Sequence, residues 1–114
     1  MGHDLGLYYG DKLAQVDLHT EGSTYAIDGV SNAEMCVTYN YSRFIRQALH
    51  EDGIMWLYGK TAAETIPALE QAIVTLGTER TTNYWDATPG NAGYILSVLL
   101  LWAREHPDAI WNGD

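Results

Sequence analysis

Two segments of this 114-residue chain combine residue types that could bind a small ligand. The first, residues 38–43, places two tyrosines, an amide and a guanidinium where a predicted strand leads into a predicted helix. Backbone N–H groups at a helix start attract anions, and tyrosine rings can stack on a planar group. The candidate ligand-binding residues of this part of the chain are Tyr39, Asn40, Arg43 and, further on, Lys60.

The second candidate segment, residues 84–93, carries two adjacent aromatic residues on a loop before another predicted helix start. Trp85 could stack on a ring, while Gly90 and Asn91 could bring backbone N–H groups close to an anion. In a purely structural interpretation, the polar side chains of both segments cap helices and the aromatic ones pack on the core. If the two segments converge, they predict a nucleotide-like ligand, which offers both a ring and phosphates.

Catalytic and metal-binding motifs are weak in this sequence. Gly59-Lys60-Thr61 is similar to the end of a phosphate-binding loop, but Gly53 lies one residue too far away and bulky residues intervene. The four histidines are not at metal-ligand spacings, and no nucleophile motif is present. We therefore predict no metal ion, no cofactor and no catalytic residue, and an enzyme is the weakest interpretation.

Composition predicts one domain over residues 1–114, with six Lys and Arg against fifteen Asp and Glu and a net charge of −9. That charge disfavours binding to nucleic acid or to an anionic membrane. It leaves open an acidic surface that imitates nucleic acid toward a basic partner protein. A single cysteine, no targeting segment and no apolar run of membrane-spanning length together predict a cytoplasmic protein.

The first half of the chain predicts a small sheet and one helix. Residues 5–9 and 13–19 predict the strands of a hairpin. A strand over 35–39 leads into a helix over 42–52, capped by Asn40 or Ser42. Residues 54–58 are too few for a helix and are expected to be extended, and residues 20–33 are expected to form a loop with at most one short strand.

A capping box formed by Thr61 and Glu64 predicts a second helix over residues 62–76, ended by Gly77. Pro67 lies inside this periodic apolar run, so we expect it to kink the helix or to delay the start of its regular part. Helices after strands predict an α+β fold, in which a small antiparallel sheet packs against three helices. The domain then consists of a hairpin and loop region followed by a strand–helix–helix–helix region, divided near residue 34.

The third helix is the most clearly marked element. Thr88 and Pro89 are typical of a helix start, and residues 89–105 are apolar on nearly every side. Such a helix must be covered all round, either as the central helix of a compact domain or by a second subunit. With four tryptophans in the chain, this predicts a homo-oligomer. The tail over 108–114 is expected to fold back and bury Ile110 and Trp111.

Several segments resemble a family of small, functionally uncharacterised proteins of bacteriophages and prophages. The resemblance covers roughly residues 35–114 and is carried by residues 38–42, 58–70, 84–85, 88–91 and 106–111. In that family a proline often follows the helix-opening serine, where this chain has Arg43. The resemblance implies a phage setting in the cytoplasm of a bacterial host and no particular activity.

A phage setting suggests an accessory protein that blunts host defence. One way to do so without catalysis is to sequester a nucleotide immune signal, using stacking aromatic residues, helix starts and a few basic groups. The alternatives are an acidic protein-binding inhibitor that imitates nucleic acid and a structural accessory protein.

Overall fold

The computed structural model describes residues 2–16 and 32–114, and its four-stranded sheet is built around one long strand, β1 (Gly2–Tyr9). β1 pairs in antiparallel fashion with β2 (Lys12–Leu13), β3 (Glu34–Thr38) and β4 (Ile110–Gly113). The predicted hairpin is confirmed, although β2 is only two residues long. The expectations for residues 17–31 lie outside the described residues.

Alternation along the strands decides which face of the sheet meets the core. Leu5 and Leu7 of β1 are buried, as are Met35 and Val37 of β3, whereas Asp4 of β1 is exposed. Side chains two residues apart lie on the same face of a sheet. One face of this sheet is therefore apolar and is covered by the helices, as the predicted α+β fold requires.

Three α-helices follow β3 in the chain. They are α1 (Ser42–Ala48), α2 (Ala62–Leu76) and α3 (Pro89–Glu105). The Thr61 hydroxyl accepts a hydrogen bond from the Glu64 N–H, and the Glu64 carboxylate accepts one from the Thr61 N–H, so the capping box is confirmed. It holds the start of α2 at Ala62, and Pro67 does not delay it.

The predictions for residues 42–58 are partly wrong. α1 ends at Ala48, and residues 54–58 are not extended, because a 3₁₀ helix spans Gly53–Leu57. Ile54 and Leu57 are both buried, and their spacing of three matches the 3₁₀ repeat. Gly53 adopts a φ of 64°, a left-handed conformation that glycine tolerates, and this lets the chain turn into the 3₁₀ helix.

The capping prediction at the start of α1 is also wrong. Thr38 provides the side-chain cap, by accepting a hydrogen bond from the Asn40 N–H into a short 3₁₀ helix, Tyr39–Tyr41. α1 continues directly from that turn without a side-chain cap of its own. The Asn40 side chain is therefore available for a distant partner.

α3 is the central helix, as predicted. It packs mainly against α2, and its apolar side chains belong to the same core as those of the sheet. The approach is close at Gly93, where a Cβ atom would lie 1.7 Å from the Gly77 carbonyl oxygen. Leu101 is the large apolar side chain of α3 that stays exposed. Since α3 is covered within one chain except near Leu101, its burial does not require a second subunit, and the homo-oligomer remains a prediction.

The tail folds back as β4, but it buries only one of its two expected side chains. Trp111 is buried, and its Nε1 donates to the Thr65 hydroxyl at 2.9 Å. Ile110 is 37% exposed, because neighbouring residues of a strand point to opposite faces. In the described part of the chain, no helix is long and apolar enough to cross a membrane.

Candidate functional site

The two ligand-binding segments predicted from the sequence lie against each other. The side-chain amide of Asn40 donates a hydrogen bond to the Trp85 carbonyl oxygen at 2.8 Å. Beside it, the Tyr41 hydroxyl donates to the Tyr84 carbonyl oxygen. These two bonds fasten the loop that carries Tyr84 and Trp85 to the turn between β3 and α1, which carries Tyr39.

We call this region the aromatic surface, defined by Tyr39, Asn40, Arg43, Tyr84 and Trp85. Tyr39 is 48% exposed and Trp85 is 39% exposed, so each offers part of a ring to solvent. The rings of Tyr84 and Trp85 are 4.9 Å apart at a tilt of 36°. Arg43 is exposed one helical turn after Asn40, with its guanidinium 4.6 Å from the centre of the Phe44 ring.

Tyr41 anchors the aromatic surface from below. Its side chain is buried, and burial, with smaller effects of Tyr84 and Asp86, raises its pKa from 10.0 to about 12. The phenol therefore stays neutral at physiological pH and keeps its proton for the Tyr84 carbonyl. This makes Tyr41 a structural donor that ties the loop to the core.

Asn91 and Gly90 support the loop from behind. The buried Asn91 amide accepts from the Thr81 N–H at 3.0 Å and donates to the Thr81 hydroxyl and to the carbonyl oxygens of Asn83 and Asp86. A Cβ atom at Gly90 would lie 1.9 Å from the Glu79 carbonyl oxygen. In this arrangement both residues shape the loop that presents Trp85, and their predicted contact with a ligand stays a prediction.

Lys60 belongs to a different cluster. Its Nζ donates to the Trp56 carbonyl oxygen at 2.6 Å and lies 4.5 Å from the centre of the Trp56 ring. The His50 ring stacks on that same indole, with centroids 5.4 Å apart. The Lys60 ammonium is therefore held at Trp56, and the cation that accompanies the aromatic surface is Arg43.

A pocket of about 210 Å³ adjoins the aromatic surface, and sequence reasoning missed it. Its polar side chains are His3, Thr38, Ser42, Arg46, Glu51 and Asp52. The pocket meets the aromatic surface at His3, whose ring packs edge-on against Tyr39 with centroids 4.9 Å apart. In the sequence, Arg46 follows Arg43 by one helical turn and could have indicated an anion-binding pocket. Other residues that line the pocket come from distant segments, among them β1 and the 3₁₀ helix that was not expected.

Residues 2–16 and 32–114 contain few buried polar side chains and one free cysteine. No group of three or more potential metal ligands occurs there, and the buried polar side chains are Thr38, Thr65 and Asn91. Cys36 has its pKa raised to about 11, first by burial and then by Asp4. Its thiol therefore stays protonated at neutral pH and is a poor nucleophile.

The chain matches no protein-family model, and no curated protein or solved structure is significantly similar to it. The candidate site is therefore defined by the geometry of this chain alone.

Proposed function

We propose that this protein is a non-catalytic binder of a small nucleotide-like ligand, which it holds at the aromatic surface. The observation that carries the proposal is the hydrogen bond between Asn40 and Trp85. It joins the loop that carries the exposed Trp85 to the turn that carries the exposed Tyr39, and Arg43 follows Asn40 by one helical turn. A ring and an anion in one ligand match that combination.

The loss of either contact should be large enough to measure in a binding titration. Stacking of a base on an aromatic side chain contributes about 1–3 kcal/mol. A hydrogen bond to a charged group contributes about 1.5–3 kcal/mol. Arg43 makes no ion pair with the described residues, so its charge is free for an anionic ligand on a protein whose net charge is −9.

The biological part of the proposal is sequestration of a nucleotide immune signal by a phage protein in the host cytoplasm. Its phage setting depends on the family resemblance of residues 35–114. Sequestration needs a tight and stoichiometric complex but no acid, base or metal ion. The aromatic surface supplies stacking rings and one cation for such a complex, and a tight complex needs further contacts to the ligand.

We also propose that the protein forms a homo-oligomer, and the outer face of α2 and α3 offers apolar side chains for it. The Arg104 guanidinium donates to the Glu70 carboxylate at 2.8 Å and so joins α3 to α2. Val74 and Leu101, both exposed, lie about one turn from this bridge on the same outer face. We expect light scattering at micromolar concentration to show a homo-oligomer, and a species of only 12.7 kDa would contradict this part.

Calorimetric titration of the full chain tests the proposed function. The titrants are cyclic dinucleotides and signals derived from ADP-ribose, because these combine rings with phosphates. We expect saturable binding of at least one of them. If none binds at high micromolar concentration, the sequestration proposal is wrong and the acidic protein-binding inhibitor takes its place.

A further inference from the structure

We infer that the same ligand extends from the aromatic surface into the adjoining pocket, where Arg46 binds its phosphate. The inference rests on the proposed function and adds a second, anion-binding part to its site. It assigns the ring of the ligand to Tyr39 and Trp85 and one phosphate to the pocket, while Arg43 remains the cation for an anionic group outside the pocket.

The size of the pocket favours one group of a larger ligand. Pockets that enclose a whole drug-sized ligand measure about 300–1,000 Å³. At about 210 Å³ this pocket is smaller, and its apolar side chains are Val37, Ile45, Ile54 and Met55. It can take a compact group such as a phosphorylated sugar while the rest of the ligand remains outside.

Three side chains of the pocket can donate a hydrogen bond to a ligand, whereas the Glu51 carboxylate can only accept one. Within the part of the chain that the structure describes, the Arg46 guanidinium, the Ser42 hydroxyl and the His3 ring make no hydrogen bond or ion pair. Arginine forms paired, charge-assisted hydrogen bonds to phosphate. A group rich in acceptor oxygens satisfies these donors best.

Two carboxylates oppose an anion in this pocket. Glu51 and Asp52 are both exposed, and Asp52 lies 3.5 Å from His50 Nδ1. Solvent and salt screen exposed charges, whereas a direct guanidinium–phosphate contact acts at short range. Arg46 is exposed as well, so the inference depends on direct contact between its guanidinium and the phosphate, and Glu51 weakens the binding of that anion.

The pocket and the aromatic surface are continuous along the chain and in space. Thr38 lines the pocket and Tyr39 follows it on the aromatic surface, and in the same way Ser42 is followed by Arg43. At the boundary between the two regions, the His3 ring of the pocket contacts the Tyr39 ring of the aromatic surface edge-on. A mononucleotide can thus place its base on one side of this boundary and its phosphate on the other.

The test compares AMP with adenosine, which differ by the phosphate, in NMR titrations of the full chain. We expect the wild type to prefer AMP by about tenfold, in line with a charge-assisted hydrogen bond. Arg46→Gln should remove most of this preference, and Arg46→Lys should retain part of it. Glu51→Gln should strengthen AMP binding by about twofold to fivefold, because it removes an exposed repulsive charge.

Lys12→Gln is the matched control, because Lys12 is exposed and pairs with Tyr9 at the far end of β1. It removes the same charge and should leave the preference for AMP nearly unchanged. Equal binding of AMP and adenosine by the wild type would overturn the inference and leave the proposed function intact.

The inference is also overturned, and the proposed function left intact, if Arg43→Ala abolishes the preference for AMP while Arg46→Gln does not. The phosphate would then lie on the aromatic surface. If Arg46→Gln strengthens binding and Glu51→Gln weakens it, the pocket accepts a cation and the inference is wrong. If the wild type binds neither probe, the inference also fails, and the titration with cyclic dinucleotides decides the proposed function separately.

Discussion

The Asn40 side chain donates to the Trp85 carbonyl oxygen across a sequence separation of 45 residues. The bond is exposed, so its net contribution to folding is small, about 0.5–1.5 kcal/mol. Its importance is positional, because the loop that carries Trp85 has no regular secondary structure of its own. Together with the bond from the Tyr41 hydroxyl to the Tyr84 carbonyl oxygen, it holds the loop against the turn before α1 and so keeps the aromatic surface in this form.

Asn40→Asp is the sharpest change at this contact. It keeps the shape of the side chain but replaces the N–H donor with a carboxylate that repels the Trp85 carbonyl oxygen. We expect ligand affinity to fall by a factor close to that of Trp85→Ala, while the melting temperature changes little. Titration and thermal melts on the same samples measure both, and unchanged affinity would show that the bond does not position the site.

Two leucines of α3 provide a matched pair for the core. Leu99 is 0% exposed and Leu101 is 54% exposed on the same helix. We expect Leu99→Ala to lower the free energy of unfolding by about 2–5 kcal/mol, because it opens a cavity. Leu101→Ala should change it by less than about 0.5 kcal/mol. Urea denaturation measures both, and equal effects would contradict the central position of α3.

Tyr41 predicts a loss of stability at alkaline pH. Because its folded pKa is about 12 against an ordinary 10.0, its neutral form is favoured by folding. The contribution of this group to the free energy of unfolding is complete below pH 10.0 and is lost as the pH rises toward 12. We expect the free energy of unfolding to fall less steeply across this window in Tyr41→Phe than in the wild type.

The alkaline slope should be reduced rather than abolished in Tyr41→Phe. Burial, with smaller effects of Asp114 and Asp4, also raises the pKa of Tyr58 to about 12. At neutral pH the variant should lose about 0.5–1.5 kcal/mol, since the Tyr84 carbonyl oxygen loses its donor. Denaturation curves between neutral and strongly alkaline pH test this, and identical slopes would refute the role given to Tyr41.

The fold was most predictable where its signals are local. The capping box of Thr61 and Glu64 and the Thr88-Pro89 pair fix the starts of α2 and α3 within a few residues of sequence. The 3₁₀ helix Gly53–Leu57 was missed because its short apolar run carries no cap and reads equally well as a strand. Its conformation depends on burying Ile54 and Leu57 against elements that are distant in the chain.

The candidate site was predictable as a set of residue types but not as an arrangement. Sequence reasoning selected Asn40 as a cap or a ligand-binding amide and Trp85 as a stacking residue, and it left open whether their two segments converge. It named Asn91 as a ligand-binding residue and did not predict that its amide holds the loop of residues 81–86. Pairings of this kind depend on tertiary contacts, for which neither spacing nor composition gives a signal.

The central claim is that the aromatic surface binds a nucleotide-like ligand through one ring and one cation. Calorimetric titration of the wild type, Trp85→Ala and Arg43→Ala with the cyclic dinucleotides and ADP-ribose-derived signals tests it most directly. We predict binding by the wild type, a loss of about 1–3 kcal/mol in Trp85→Ala and a loss of about 1.5–3 kcal/mol in Arg43→Ala, with both variants folded. Absence of binding by the wild type, or full binding by both variants, would contradict the claim.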